Sequence, residues 1–456
     1  MSNTSLFDQF ISVSAKQWKQ QIQVDLKGAD YNDTLIWQSP EGIDVKPFYH
    51  KDEFDKEFAP IPGQPEDWTV IQQVFVHDVK IGNRLMAEAL ERGAEGIYLS
   101  ATSSFDIKSL FDGIDLQDKS IYLNLKFLNS DFLNELIEFL SESTSAVFYN
   151  TDIIGNLVRS GNWFNNLSED HKILESLIQA HPSENMLGVD VSLYQNAGAN
   201  MVQQLAYGLA HANEYLNHFS KQQDLRITFS MSLGSNYFFE IAKLRAMRIL
   251  YAGLAHEYGF REECHIMALP GKRNKTLYDY NVNMLRTTTE CMSAVLGGAN
   301  SVCNLAYDSI YHKSNEFGER ISRNQLLILK HESFFDLVEN PSDGSYYIEA
   351  LTDQLAAAAL KLFTEIEQGG GFLKALKEGS IQKKIKESAE KEQELFNSGE
   401  LVLLGTNKHP NGNDRMKGEL ELYPFVKTKP RKTLLEPVIE RRLAEKIEKE
   451  RIENED

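Results

Sequence analysis

Cysteine is scarce in this chain: Cys264, Cys291 and Cys303 are the only three in 456 residues. Thiols this few and this scattered cannot build a disulfide framework or a zinc cluster. They read as small buried apolar side chains in a reduced, cytoplasmic protein. Long apolar runs are missing too, so no segment is expected to span a membrane. The opening MSNTSLFDQFISVSAKQWKQ lacks a charged start followed by an apolar core, which excludes an ordinary signal peptide. Positive charge is in deficit, with 47 Lys and Arg against 66 Asp and Glu and a formal net charge of -19. An acidic surface of this size excludes nonspecific nucleic-acid binding. The 11 histidines stand singly, none paired at the four-residue spacing of a helical metal site, so no metal centre is expected. No Gly-x-Ser-x-Gly elbow, P-loop or Gly-rich dinucleotide fingerprint is present.

What is present begins with a distinct segment over 1–67. An amphipathic helix is expected over 14–26. Gly28, Pro40, Gly42, Pro47, Pro60, Pro62, Gly63 and Pro65 then break the chain, and Tyr31, Trp37, Phe48, Tyr49, Phe54 and Phe58 lie among them. A proline-broken stretch this aromatic should drape over its own domain or over a partner. From Trp68 the pattern becomes regular. Strands are expected at 68–76, 96–100, 120–127, 146–150, 187–193, 225–230, 264–268 and 300–306. Helices alternate with them: one over 131–142 opened by an aspartate cap, a less regular region over 156–180, one opened by Ala197-Gly198-Ala199 and running to Phe219, and a last one over 319–331. Eight strand–helix units in about 265 residues have the size and repeat of a TIM (β/α)8 barrel. A doubly wound sheet is the alternative, but no strand is followed by a dinucleotide turn. The expectation is an α/β chain with an N-terminal segment 1–67, a barrel 68–335 and a helical C-terminal region 336–456. In that last region a helix over 346–367 stops at Gly369-Gly370-Gly371, helical sequence resumes over 372–396, 405–430 is polar, and a charged helix over 434–450 precedes a fraying tail over 451–456.

Barrel enzymes place their chemistry at strand C-terminal ends. Here those ends offer Gln72, Gln73 and His77; Ser100, Thr102 and Ser103; Lys126; Asn150; Ser192, Tyr194 and Gln195; Ser230 and Ser232; and Asn304 with Asp308. The set is dominated by neutral amides and hydroxyls. Such groups can bind a ligand or merely satisfy loop backbone, and they make a poor acid–base set. His77 follows a strand, whereas His265 precedes one. Lys243, Arg245 and Arg248 on one helix, with Arg320 and Arg323 on another, are more simply explained by surface or interface ion pairs than by a phosphate site.

Four stretches carry a resemblance: DLKGADYNDTLIWQSPEGIDVKPFY (25–49), NVNMLRTTTECMSAVLGGANSV (281–302), FGERISRNQ (317–325) and DGSYYIEALTDQL (343–355). In these, scattered over nearly its whole length, the chain resembles the methylmalonyl-CoA mutase family. The resemblance implies a TIM barrel that takes acyl-CoA, and radical interconversion of methylmalonyl-CoA and succinyl-CoA with adenosylcobalamin as cofactor. It also implies departures. The family's Asp-x-His-x-x-Gly motif, whose histidine ligates cobalt on a flavodoxin-like domain, matches none of the histidines here, so no cobalamin-binding domain and no cofactor are expected on this chain.

The family's first strand, Arg-Pro-Trp-Thr-Ile-Arg-Gln-Tyr, falls on Glu66 to Gln73. Glu66 and Ile71 then replace arginines, and Gln73 replaces the tyrosine beside the reacting carbons. Counted back from Ala197-Gly198-Ala199, a tyrosine and a histidine of the family fall on Ser192 and Leu193. Met267 and Leu269 stand where the family has an imidazole and an amide. Acids and donors thus give way to apolar or neutral groups at Gln73, Ser192, Leu193, Met267 and Leu269. That pattern is similar to the small, noncatalytic subunits of the heterodimeric bacterial enzymes. It implies a large catalytic subunit as partner, with cobalamin bound there and the N-terminal segment wrapped around it. Two other roles stay open: a catalytic barrel served by a separate cobalamin-binding protein, and a barrel that binds an acyl-CoA without turning it over.

Overall fold

The computed structural model describes residues 9–54, 57–222, 225–427 and 430–455. Residues 1–8 of the expected N-terminal segment, 428–429 of the polar stretch and the terminal Asp456 lie outside them.

Eight parallel strands close into a barrel in chain order. They are β1 Thr69–Val76, β2 Gly96–Ala101, β3 Ser120–Leu125, β4 Ala146–Thr151, β5 Asn185–Asp190, β6 Ile227–Leu233, β7 His265–Pro270 and β8 Ser301–Cys303. Closure is made by β8 on β1, with Ser301 beside Thr69 and Cys303 beside Ile71. Helices follow the strands, the principal ones being Val79–Glu91, Ile107–Phe111, Ser130–Ser141, Leu167–Ala180, Met201–His218, Tyr237–Tyr258, Val282–Leu296 and Glu316–Leu327. Strand alternation divides the core in two. Val70, Val74, Val76, Ile227, Phe229, Met231 and Leu233 pack outward under the helices, while Ile71, Tyr122, Phe148, Met267 and Cys303 form a separate cluster inside the lumen. The three cysteines are buried free thiols.

Helix starts are set by short polar side chains. Asp78, Asp106, Asp152, Asn166, Asn200 and Asn315 each accept the backbone N–H three residues on. Each such cap contributes about 1 kcal/mol. Two expected starts move for this reason. The helix expected to open at Asp131 is Ser130–Ser141 and is capped by Asn129. The long helix expected to open at Ala197 begins at Met201, behind an Asn200–Gln203 capping box, and Ala197–Ala199 form a turn around Gly198 at φ +100°. The strand expected to reach Leu193 ends at Asp190. Ser192 turns back to donate to the Asp190 carboxylate, and Ser192–Asn196 winds into a short helix. His265, expected before its strand, is the first residue of β7.

Of the cations expected in surface or interface pairs, Arg320 is exposed, whereas Lys243, Arg245, Arg248 and Arg323 are buried. Lys243 lies against Glu240 at 2.5 Å, with the Ser232 carbonyl at 2.7 Å. Arg245 pairs with Asp343 and with Glu349. Arg248 donates to the carbonyls of Cys264 and Gly298. The first segment packs partly on its own chain: Tyr31, Ile43, Val45 and Ile61 are buried, and Tyr49, Phe54 and Phe58 meet Tyr346 and Tyr347. Phe10, Ile11, Val13, Trp18 and Val24 are exposed.

The C-terminal region follows expectation through Tyr346–Gln368 and then departs. Gly379, at φ +76°, divides the next helical stretch into Phe372–Lys377 and Ser380–Ser398. The expected helix over 434–450 is non-helical until Ala444, and only Glu445–Glu453 is helical. Pro437 lacks an N–H and disfavours α geometry at Glu436. The freed backbone bonds to the barrel instead: Leu434 and Leu435 to the Gly161 carbonyl, Val438 to Val158, Arg441 to Asn196 and Leu443 to Arg273. The tail is docked, contrary to the expected fraying. Glu455 is buried and accepts from Met416 N, Lys417 N and the Tyr278 hydroxyl.

Candidate site at the barrel mouth

At the C-terminal ends of the strands lies a cavity of about 910 Å3. Gln73, Tyr98, Asn124, Lys126, Asp190 and Leu269 line it from β1, β2, β3, β5 and β7 or the residues just beyond them. Ser192, Leu193 and Asn196 enter from the short helix after β5, Arg159 from the last turn of the helix Ile153–Ser160 after β4, and Lys272 and Arg273 from the loop after β7. Residues 422–427 and 430–442 form the roof. The roof is fastened by the backbone bonds described above and by Leu435 and Val438, which are buried in the main core.

Among the described residues the lining carries eight cationic side chains and three carboxylates, Asp190, Glu440 and Glu445. Several cations are engaged. Arg273 pairs with Glu392, and Arg442 with Glu448 at 2.5 Å. Arg159 stands 3.9 Å from Asp190, and Lys272 3.8 Å from Glu440. Lys126, one residue beyond β3, has no ion-pair or hydrogen-bond acceptor for its ammonium among the described residues. Burial pushes its amine down to about 8, Arg159 and Lys272 push the same way, and Asp190 and Glu440 oppose them.

Below the cavity the lumen is filled. Strands β3 and β7 face each other across the eight-membered ring. The Tyr122 hydroxyl of β3 and His265 Nε2 of β7 are hydrogen-bonded at 2.8 Å, so one contact spans the barrel. The Tyr122 and Phe148 rings stack at 4.5 Å, and Phe148 lies 4.1 Å from the His265 ring. Desolvation holds His265 neutral, at about 3, with Arg248 contributing.

Of the residues singled out in the sequence, Gln73, Ser192, Leu193, Leu269 and Lys126 come together at the mouth. Met267 lies below them in the lumen. The others disperse. Gln72 turns outward to Glu319 and Arg323. Tyr194 is buried against His211, and Gln195 against Lys243. Asn304 bonds Ser322 and Gln325, and Asp308 bonds His312 and Asn315. Ser230 and Ser232 are buried in β6 and Ser100 in β2, while His77, Thr102 and Ser103 are exposed. Asn150 sits at φ +47° at an irregular register between β4 and β5, with its amide unpaired. Glu66 is exposed, beyond the opposite end of β1. Arg320 is outside the mouth, and Arg323 donates to Gln72 and the Arg92 carbonyl. Sequence reasoning missed Tyr98, Asn124, Arg159, Asp190 and Lys272. Asn124 and Asp190 sit at strand ends and could have been found by the same rule, whereas Tyr98 lies in the middle of β2.

Among the described residues no helix is long and apolar enough to cross a membrane, and no group of three or more His, Cys, Asp or Glu could hold a metal ion.

Comparison with known proteins gives this fold a family. The profile described as methylmalonyl-CoA mutase matches residues 86–450. The chain is 32% identical to the methylmalonyl-CoA mutase small subunit of Porphyromonas gingivalis, over 89% of this chain and 71% of that protein. It is 28% identical to methylmalonyl-CoA mutase of Rhizobium meliloti, over 88% of this chain and 64% of that one. The mitochondrial methylmalonyl-CoA mutase of Homo sapiens is also 28% identical, over 86% of this chain and 60% of its own length. The chain thus spans less than two thirds of the latter two proteins. Among solved structures, the flavin-binding domain of baker's yeast flavocytochrome b2 aligns over 68% of this chain and 75% of its own at 12% identity, with a TM-score of 0.27 too low to bear on fold or function. With a matching profile over most of its length and a relative at 32% identity, the chain belongs to the methylmalonyl-CoA mutase family.

Proposed function

We propose that this chain is the noncatalytic small subunit of a heterodimeric, adenosylcobalamin-dependent methylmalonyl-CoA mutase, and that it stabilises a large catalytic chain. One observation carries the reading: the Tyr122–His265 hydrogen bond, backed by Phe148 and Met267, crosses the lumen along which an acyl-CoA would thread. At the mouth, Gln73, Ser192, Leu193 and Leu269 supply no side chain suited to general acid–base work near neutral pH. Leu193 and Met267 are buried apolar groups where the family resemblance asks for imidazoles.

The residues present do not fit the family's cofactor. The mouth is roofed by the chain's own residues 422–427 and 430–442, and among the described residues no histidine lines it. The cofactor is therefore assigned to the partner. In this reading residues 1–67 contact the large chain, residues 68–335 are the inactive barrel, and residues 336–456 close its mouth and brace its helices. The exposed Phe10, Ile11, Val13, Trp18 and Val24 support such a contact. Three buried free thiols and the lack of a membrane-length helix among the described residues are consistent with the cytoplasmic setting that the proposal includes.

Co-expression with a large cobalamin-binding mutase chain tests this. The expected result is a stable complex of one copy each, with mutase activity that survives substitution of Gln73 and Ser192 on this chain. Turnover by this chain with only a free-standing cobalamin-binding protein would overturn the reading in favour of a catalytic barrel.

A further inference from the structure

The barrel mouth carries charge of the wrong sign for its chain. The whole sequence has a net charge of -19, yet among the described residues eight cations and three carboxylates line this one cavity. Lys126 is the most telling of them. It stands one residue beyond a strand, is half-buried, and has no acceptor for its ammonium among the described residues. A half-buried charge without a partner is costly, and a fold that only needed to fill this position would do better with an apolar side chain. Arg159 and Lys272, each held by a carboxylate only at 3.9 and 3.8 Å, flank it. We propose that the roofed mouth is a binding site for a small organic anion, a carboxylate or phosphate head on a short apolar body, with Lys126 as its principal cation.

The rest of the cavity fits that class. Its volume of about 910 Å3 suits a small-molecule ligand. Tyr98, Leu193 and Leu269 supply apolar surface beside the cations, while Gln73 and Asn124 supply neutral hydrogen-bonding groups. The ligand must be short, because the Tyr122–His265 bond closes the lumen below and leaves no path for a long tail along the axis. An extended thioester threaded through the barrel is thereby the wrong shape. The proposal stands on this cavity alone and does not depend on the chain's being a noncatalytic subunit.

Titration calorimetry on the full chain tests it, with phenyl phosphate and phthalate as the anionic probes and benzyl alcohol as the neutral one. One anionic probe is expected to bind at one site per chain with a Kd of about 1 mM or tighter. Its affinity should weaken with added salt. Which of the two binds more tightly identifies the head group. Lys126→Met should weaken binding by at least about tenfold, the cost of one charge-assisted hydrogen bond. Lys126→Arg should retain most of the binding, and the surface variant Lys374→Met all of it. Thermal unfolding of unliganded Lys126→Met at or above the wild-type temperature shows that the fold survived. Absence of binding by both anions, binding of benzyl alcohol as tight as theirs, or unchanged affinity in Lys126→Met would each overturn the proposal.

Discussion

The contact across the lumen makes a prediction about acid. His265 sits where Tyr122 and Phe148 exclude water, and its imidazole stays neutral down to about pH 3 instead of the ordinary 6.5. In the unfolded chain the same imidazole takes up a proton near 6.5. Between those two values the unfolded state binds more protons than the folded one. Stability contributed by keeping His265 neutral is therefore complete above 6.5 and is lost as the pH falls toward 3. At pH 5 the loss works out to about 2 kcal/mol, an upper bound because the ring keeps some exposure at the lumen's lower rim.

The perturbation is His265→Gln, which preserves a partner for the Tyr122 hydroxyl but cannot titrate. At pH 7 the variant should unfold at or slightly below the wild-type temperature. At pH 5 the wild type alone carries the protonation penalty. With an unfolding entropy of about 2 cal/mol/K per residue, 2 kcal/mol in a chain of 456 residues corresponds to a shift of about 2 °C. Scanning calorimetry at the two pH values should therefore show the variant's unfolding temperature rising relative to wild type by up to that amount. Contributions from the rest of the chain are common to both proteins and cancel in the difference. A gap that stays constant between pH 7 and 5 would mean that His265 is not held neutral and that water reaches the lumen around it.

Three further perturbations follow from particular contacts. Gly161, at φ +78°, presents its carbonyl to Leu434 and Leu435, and a Cβ there would lie 2.6 Å from the Leu435 carbonyl. Gly161→Ala should cost about 1 to 3 kcal/mol and lift the roof, read as faster tryptic cleavage at Arg431 and Arg441. Arg245→Met should cost about 3 to 5 kcal/mol, because Glu349 is left buried without its cation, and should lower the unfolding temperature by several degrees. Glu455→Ala removes the acceptor shared by Met416, Lys417 and Tyr278; a loss of about 2 to 4 kcal/mol is expected locally, measured as faster amide hydrogen exchange at 416 and 417.

The barrel was legible because it is written locally. Apolar runs of strand length, helical periodicity between them and an Asp or Asn at most helix starts each act over a few residues, and their order alone implies parallel strands. The misplacements are ones of competition. Asn129 won over Asp131 because its oxygen reaches the N–H of Phe132. The expected terminal helix failed at Pro437, a signal present in the sequence but outweighed there by the charge periodicity around it. Least legible was the mouth. Lys126 and Lys272 are 146 positions apart, and Arg441 reaches the same cavity from the far end of the chain. No local pattern relates them, since only closure of the ring and the path of the roof bring them together.

The lumen joins the two halves of the argument. Read singly, Gln73, Ser192, Leu193, Met267 and Leu269 are five separate departures from the family's pattern. In the fold they divide into a mouth and a plug: Met267 packs with Tyr122, Phe148, Cys303 and Ile71, and Leu269 borders that cluster from the cavity floor. A charged imidazolium or guanidinium at Met267 or Ile71 would be desolvated among these largely apolar groups, at a cost of several kcal/mol. Filling the axis and losing the polar groups along it are in this sense one physical change. The test is reciprocal. Met267→His should destabilise the wild type markedly and the Phe148→Ala variant less, because the truncated ring leaves room for water to reach the imidazole. A double-mutant cycle on unfolding temperature in which the two costs simply add would show that the plug does not set the polarity of the lumen.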